Sequence, residues 1–206
     1  MCSKPTTNKS LSPRPTTLRV AITGGIGSGK SFVCKRLEAA GYPVFYCDDV
    51  AKHIIRTSPI VHDALVALIG RDVYDADGRL VKPVLAAYLC ASPQQAAKVN
   101  AIVHPRVADT FKAWTQQQTV PTVFMECALL FESGFDALVD LTALVVVPQA
   151  VRLQRVMARD HVSAEKAQSW MDLQMSEAEK AARADFLLHN DDSGRLDTEI
   201  AELLKL

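Results

Sequence analysis

The chain has 206 residues, enough for one sizeable core with an inserted subdomain. Its 23 Lys and Arg balance its 23 Asp and Glu, so no global field favours a long nucleic-acid track or an anionic membrane surface. The five cysteines form no CxxC or Cys/His spacing for zinc, and the longest apolar stretch, "LTALVVV", is too short to span a bilayer. The chain is therefore expected to be a soluble, cytoplasmic enzyme, with Cys2, Cys34, Cys47, Cys90 and Cys127 reduced in the core or at strand ends.

Residues 1–17, "MCSKPTTNKSLSPRPTT", are rich in Ser, Thr, Pro and Lys and are expected to form a flexible tail. From Leu18 onward, short β-branched or aromatic runs alternate with helical patterns. The runs "LRVAIT", "YPVFYC", "TVFMEC", "ALVVV" and "FLLHN" predict five strands of a parallel sheet, flanked by crossover helices in an α/β fold.

Between the first run and the helical "SFVCKRLEAAG" lies "GGIGSGKS", Gly24 to Ser31, which fits GxxxxGK[ST] in the strand-to-helix setting that gives this motif its meaning. Gly25, Gly27 and Gly29 leave the backbone free to turn successive N–H groups, those around Ser28 included, onto phosphate oxygens. Lys30 can reach the outer phosphates, and the Ser31 hydroxyl can ligate Mg²⁺. The loop is expected to hold a nucleoside triphosphate. It does not say whether the γ-phosphoryl passes to water, to a protein or to a small molecule.

The second run is followed by Asp48 and Asp49, which places a carboxylate at the carboxyl edge of the sheet, where ligands of open α/β sheets bind. Such a group can orient an acceptor hydroxyl and take its proton; the alternative is a cap for a helix beginning near Val50. Asp48 is the preferred proton acceptor. A helical insertion over about 57–120 follows, too long for a plain crossover and expected to carry the acceptor's site. Within it, His104 precedes Pro105, which should interrupt the helix near the strand ends. Trp114 and Trp170 fall at core spacings and read as packing.

Glu126 ends the third run, with contact to Mg²⁺-bound water and loop support both open to it. Farther on, Arg152, Arg155 and Arg159 stand at i, i+3 and i+7 and share one helix face. Alone they read as a solvated stripe. Beside a phosphate loop they predict a lid over about 149–184, with Arg155 and Arg159 clamping the phosphoryl group and Arg152, nearer the hinge, contributing less. Asn190 follows the last strand, where its amide can meet an adenine edge or simply make a turn.

From Leu18 on, these segments together resemble the dephospho-CoA kinases, P-loop small-molecule kinases. "TGGIGSGKS" is similar to that family's phosphate loop, and "CDDVAK" stands at its Asp-Ala-Asp segment, with Asp48 at the second, catalytic Asp. "VHPRV" matches its His-Pro pair at His104 and Pro105, "ALLFESGFD" resembles its Pro-Leu-Leu-Phe-Glu segment, and "RLQRVMARD", "LQMS" and "ADFLLHND" follow in the family's order. The resemblance implies transfer of the ATP γ-phosphoryl to the ribose 3'-hydroxyl of dephospho-CoA, with Mg²⁺, giving CoA and ADP. It also implies acceptor contacts by Asp48, His104 and Glu132, nucleotide contacts by the loop through Phe32, and a monomer or weak oligomer with no nucleic-acid partner.

Tyr46 and Cys47 replace the first Asp and the Ala of the acidic segment, Ala128 replaces the Pro, and Phe32, expected to pack beneath its helix, replaces the usual Thr. The alternatives are another acceptor on the same scaffold, a nucleoside monophosphate or sugar acid, and a nucleotide switch or ATPase. The chain lacks the NKxD-type guanine signature that a GTP switch carries.

Overall fold

A computed structural model of the chain describes residues 17–191 and 193–205. Five strands among them form one parallel sheet: Leu18–Thr23 (β1), Val44–Tyr46 (β2), Thr122–Glu126 (β3), Leu141–Val146 (β4) and Phe186–His189 (β5), in the order β2-β3-β1-β4-β5. Central β1 pairs with β3 from Leu18↔Thr122 to Ile22↔Glu126 and with β4 from Val20↔Leu141 to Thr23↔Leu144. Both faces of such a strand are covered, which is why it reads as a continuous apolar run instead of an alternating one.

The helices are Lys30–Ala39 (α1), Cys47–Thr57 (α2), Pro59–Ile69 (α3), Lys82–Ala91 (α4), Pro93–Gln116 (α5), Gln149–Asp160 (α6), Ala164–Met171 (α7), Glu177–Arg183 (α8) and Leu196–Leu203 (α9). Strand periodicity sorts the core into two layers. Val20, Ile22, Phe124, Val145 and Leu188 pack against α1 and α9 on one face. Ala21, Phe45 and Met125 pack on the other against α2 to α5. Local chemistry starts several helices: Ser58 and Ser92 each accept a backbone N–H ahead of a proline at the first helical position, and Ser176 with Glu179 forms a capping box.

Four expectations need correction. The second strand stops at Tyr46, so Cys47, Asp48 and Asp49 form the first turn of α2 and not the strand end; carboxylates at N-terminal helical positions are favoured by the helix dipole. Pro105 does not interrupt α5, because the buried stripe Val99, Val103, Val107 and Phe111 holds the helix to the core from the opposite side. Pro105 itself is exposed, so the Ala101 carbonyl that loses its partner faces water. Thr17 is buried and its hydroxyl donates to the Val120 carbonyl, so order begins one residue inside the expected tail; residues 1–16 lie outside the described residues. Cys34, Cys47 and Cys127 are buried, whereas Cys90 is exposed, and Cys2 lies outside the described residues.

The topology positions the site. From β1 the chain crosses toward β2, and from β3 it crosses in the other direction to β4. The carboxyl ends of β1 and β3 therefore bracket the point where the strand order reverses, and a crevice opens there.

Candidate active site

The Gly24–Ser31 loop leaves the end of β1 and runs into α1. Gly27 and Gly29 have φ of 81° and 89°, a region costly for residues with a Cβ. Space imposes the same choice: a methyl at Gly27 would come within 2.6 Å of the Arg152 carbonyl, one at Gly25 would strike the Arg152 guanidinium, and one at Gly29 the Asn190 amide. Helix α1 then begins with no side-chain cap and no acid in its first turn. Its free N–H groups and the positive end of its dipole form an anion cradle.

Lys30 Nζ lies 3.0 Å from the Gly24 carbonyl and 3.4 Å from that of Gly25, folded back over the loop. Burial lowers its pKa, an effect that Glu126 and then Asp48 oppose. Ser31, the next residue, lines a cavity of about 880 Å³ together with Lys30, Asp48, Glu126, Arg155 and Arg159. The residues expected to carry catalysis, Lys30, Asp48, Arg155 and Arg159, thus come from three separate stretches of chain and meet at one opening.

The two aspartates are not equivalent. Asp49 is 74% exposed and pairs with Lys52 at 3.1 Å, one turn along α2. Among the described residues no such ion pair engages the Asp48 carboxylate, although both aspartates line the same cavity. Glu126, at the end of β3, is buried, and burial pushes its carboxyl above the usual range; Lys30 pulls it down, while Asp48 adds to the upward push. The oxygen donors at this opening, one hydroxyl and nearby carboxylates, suit a hard cation. Among the described residues no group of three or more His, Cys, Asp or Glu could hold a metal ion by itself.

The arginine stripe divides. Arg155 donates to the Asn190 carbonyl at 3.2 Å and faces the cavity. Arg159, at the rim, is held bidentate by Asp160 at 2.9 and 2.7 Å. Arg152 is only 7% exposed: its Nε donates to the Ile26 carbonyl at 3.1 Å and its Nη1 pairs with Glu177 at 3.2 Å. It therefore seats the phosphate loop against α6 and does not sit idle near a hinge.

Gly25, Ser28, Phe32 and Asn190 do not line the main cavity. Ser28 is buried, and its Oγ has no hydrogen-bond partner among the described residues, as is also true of Thr23 Oγ1 beneath the loop. The Asn190 amide donates to the Ser28 carbonyl at 2.9 Å, so that one of its two N–H groups is engaged by the loop. Phe32 does not pack beneath α1. It is 48% exposed because the buried positions of that helix are Val33, Cys34 and Leu37, and the Arg36 guanidinium lies 4.7 Å from its ring.

His104 and Glu132 share a second cavity of about 500 Å³ between α5 and the loop after β3. Burial lowers the His104 pKa, and its ring packs 5.3 Å from that of Phe135. Burial pushes the Glu132 carboxyl up, but hydrogen bonds from its own backbone, the Met175 N–H and Lys180 bring it below the usual range. The Lys180 ammonium, 1% exposed, pairs with Glu132 at 3.0 Å and donates to the Ala128 carbonyl at 3.2 Å. Lys180 and Gln174 are the functional neighbours that pattern reading passed over. Neither stands in a charge stripe or periodic motif; only the "LQMS" segment marked the second.

A family model described as dephospho-CoA kinase matches residues 18–195. The chain is 40% identical over 188 residues to a dephospho-CoA kinase of Bacteroides fragilis, covering 91% of each chain. It is 41% identical over 175 residues to one of Salinibacter ruber, covering 84% of this chain and 88% of the relative. A crystal structure from Thermus thermophilus is similar with a TM-score of 0.81 at 33% identity, covering 93% of this chain and 98% of the other. A shikimate kinase from Acinetobacter baumannii, at a TM-score of 0.54 and 11% identity over 92% of this chain and 93% of its own, shares the fold.

Proposed function

The chain belongs to the dephospho-CoA kinase family, and from that premise we propose that it transfers the γ-phosphoryl of ATP to the ribose 3'-hydroxyl of dephospho-CoA, the last step of coenzyme A synthesis. The observation that carries the reading is the convergence of Lys30, Asp48, Arg155 and Arg159 on the opening above the phosphate loop.

The loop N–H groups and the start of α1 bind the phosphates, and Lys30 leaves the Gly24 and Gly25 carbonyls for the outer phosphate oxygens. Asp48 orients the 3'-hydroxyl. As the new P–O bond forms and the bond to ADP breaks, the hydroxyl proton passes to the Asp48 carboxylate. Arg155 and Arg159, carried on the lid of α6 to α8, balance charge on the moving phosphoryl group when the lid closes. The Ser31 hydroxyl would hold Mg²⁺ on the protein side, with the Glu126 carboxylate nearby, and the cation would supply charge to offset that of the phosphates. Asn190 and Arg152 act from behind by fixing the loop. His104 and Glu132 line the acceptor's side, between α5 and the loop after β3.

The protein works on these small molecules as a cytoplasmic monomer or weak oligomer, without nucleic acid. Balanced charge supports the lack of a nucleic-acid partner, and no helix among the described residues is long and apolar enough to cross a membrane. The test is ADP and CoA formation by the pure protein with ATP and Mg²⁺, with and without dephospho-CoA. ADP release should rise strongly with dephospho-CoA above a slow background of hydrolysis, and the increase should match CoA mole for mole. Equal turnover without it would mean an ATPase, and turnover only with a nucleoside monophosphate or sugar acid would reassign the acceptor.

A further inference from the structure

Lid side chains hydrogen-bond to the phosphate loop at Ile26. Both backbone polar groups of Ile26, between Gly25 and Gly27, are engaged by lid side chains: the N–H donates to Gln174 Oε1 at 2.8 Å, and the carbonyl accepts from Arg152 Nε at 3.1 Å. Gln174 lies between α7 and α8 and lines the main cavity with Lys30, Asp48, Arg155 and Arg159.

A backbone N–H can only donate, so the corner of the carboxamide that meets Ile26 is its oxygen. The orientation of the amide is thereby chosen by chemistry. Its Nε2, with two N–H donors, has no protein acceptor among the described residues. The side chain thus presents a neutral donor pair, aimed by its own oxygen, beside the loop that holds the outer phosphates.

We propose that Gln174 is a catalytic residue, whose Nε2 donates to an oxygen of the phosphoryl group in transit while its Oε1 stays on the Ile26 N–H. The assignment rests on the kinase reading above. It complements the arginines: Arg159 is tied to a carboxylate at 2.7 Å, whereas an amide donor carries no counter-charge that must be displaced. The donor is also aligned only while the lid lies against the loop, which couples closure to chemistry. Donors fixed in advance where charge gathers act without reorganising.

Two substitutions separate this role from that of a tether. Gln174→Glu keeps an acceptor for the Ile26 N–H but replaces the donor with negative charge, whereas Gln174→Ala removes both. If Gln174 donates to the phosphoryl group, kcat should fall by about 10²–10³-fold in the Glu variant and by about 10-fold in the Ala variant, with KM for ATP within about threefold of wild type. The Glu variant should also regain part of its kcat as pH falls from 7 to 5, when a protonated carboxyl can donate again. Gln174→Met, which keeps the volume without either polar group, replaces the Ala variant if that one disturbs the lid. A Glu variant at wild-type kcat, or one that outperforms Ala, overturns the proposal and leaves a tether. Rates are followed as ADP release both with dephospho-CoA and with water as acceptor. Failure of the wild type with dephospho-CoA alone would refute the acceptor, while the ranking in hydrolysis would still decide Gln174.

Discussion

Asp48 and Asp49 are neighbours in sequence that both line the cavity, but among the described residues only Asp49 is held in an ion pair, with Lys52. Asp48→Asn should lower kcat by about 10²–10⁴-fold with little change in ATP affinity, since the amide cannot take the acceptor's proton; Asp49→Asn should change kcat by less than about threefold. Steady-state kinetics of the two variants check this, and the reverse ranking would move the base by one residue. Glu126 illustrates function held at a cost in stability. Its folded pKa lies above the unfolded value because burial penalises the charge. Between the unfolded and folded pKa values the native state binds more protons, so stability falls as pH rises through that window, and the penalty is complete above it. Glu126→Gln should therefore melt higher than wild type at pH 7.5, with the gap closing toward pH 4, and under the proposed placement of Glu126 beside Mg²⁺ its kcat should drop about 10–100-fold. Thermal melts across pH test the first part; a variant less stable at pH 7.5 would show that its attraction to Lys30 outweighs burial.

At the scale of elements, α6 carries three arginines with two kinds of work. Arg155→Lys and Arg159→Lys should lower kcat more than ATP affinity and leave the melting temperature unchanged, since Lys lacks the planar fork that spans two oxygens. Arg152→Lys should instead lower both, because a buried guanidinium that bonds Ile26 and Glu177 together is lost; disrupting such a buried pair costs about 3 kcal/mol. Equal melting temperatures for all three variants would return Arg152 to the solvated stripe that spacing alone suggests. Helix α5 supplies the converse case. Pro105→Ala restores an N–H donor to an intact helix and should stabilise the fold by up to about 3 kcal/mol, as urea unfolding would measure. A destabilised variant would mean that the proline ring contributes packing to the cavity it shares with His104.

For the whole molecule, site and stability are linked through ligand binding. Saturating ATP and Mg²⁺ at 100 times Kd contributes about 2.7 kcal/mol, which should raise the melting temperature by about 5–10 °C in a domain of this size. Lys30→Ala should lose most of that rise while melting normally without ligand. Under the proposed closure of the lid over both substrates, trypsin should cut after the exposed Arg159 more slowly only with ATP and dephospho-CoA together; equal cutting with and without them would argue against closure. What the amino-acid sequence determined by itself was local. The phosphate loop is contiguous, so its glycines, Lys30 and Ser31 were legible from spacing, and the apolar runs placed all five strands because a buried parallel strand needs such a run. Arg155 and Arg159 were legible as a helical stripe. Only the tertiary structure decided what lies across the chain: that Gln174 reaches Ile26 over 148 positions, that Arg152 turns from the stripe to the loop, and that Lys180 is buried against Glu132. It also decided that α5 runs through Pro105 and that α2 begins at Cys47. Those outcomes depend on which surfaces the fold presses together, where the burial of a whole stripe outweighs the preference of a single residue.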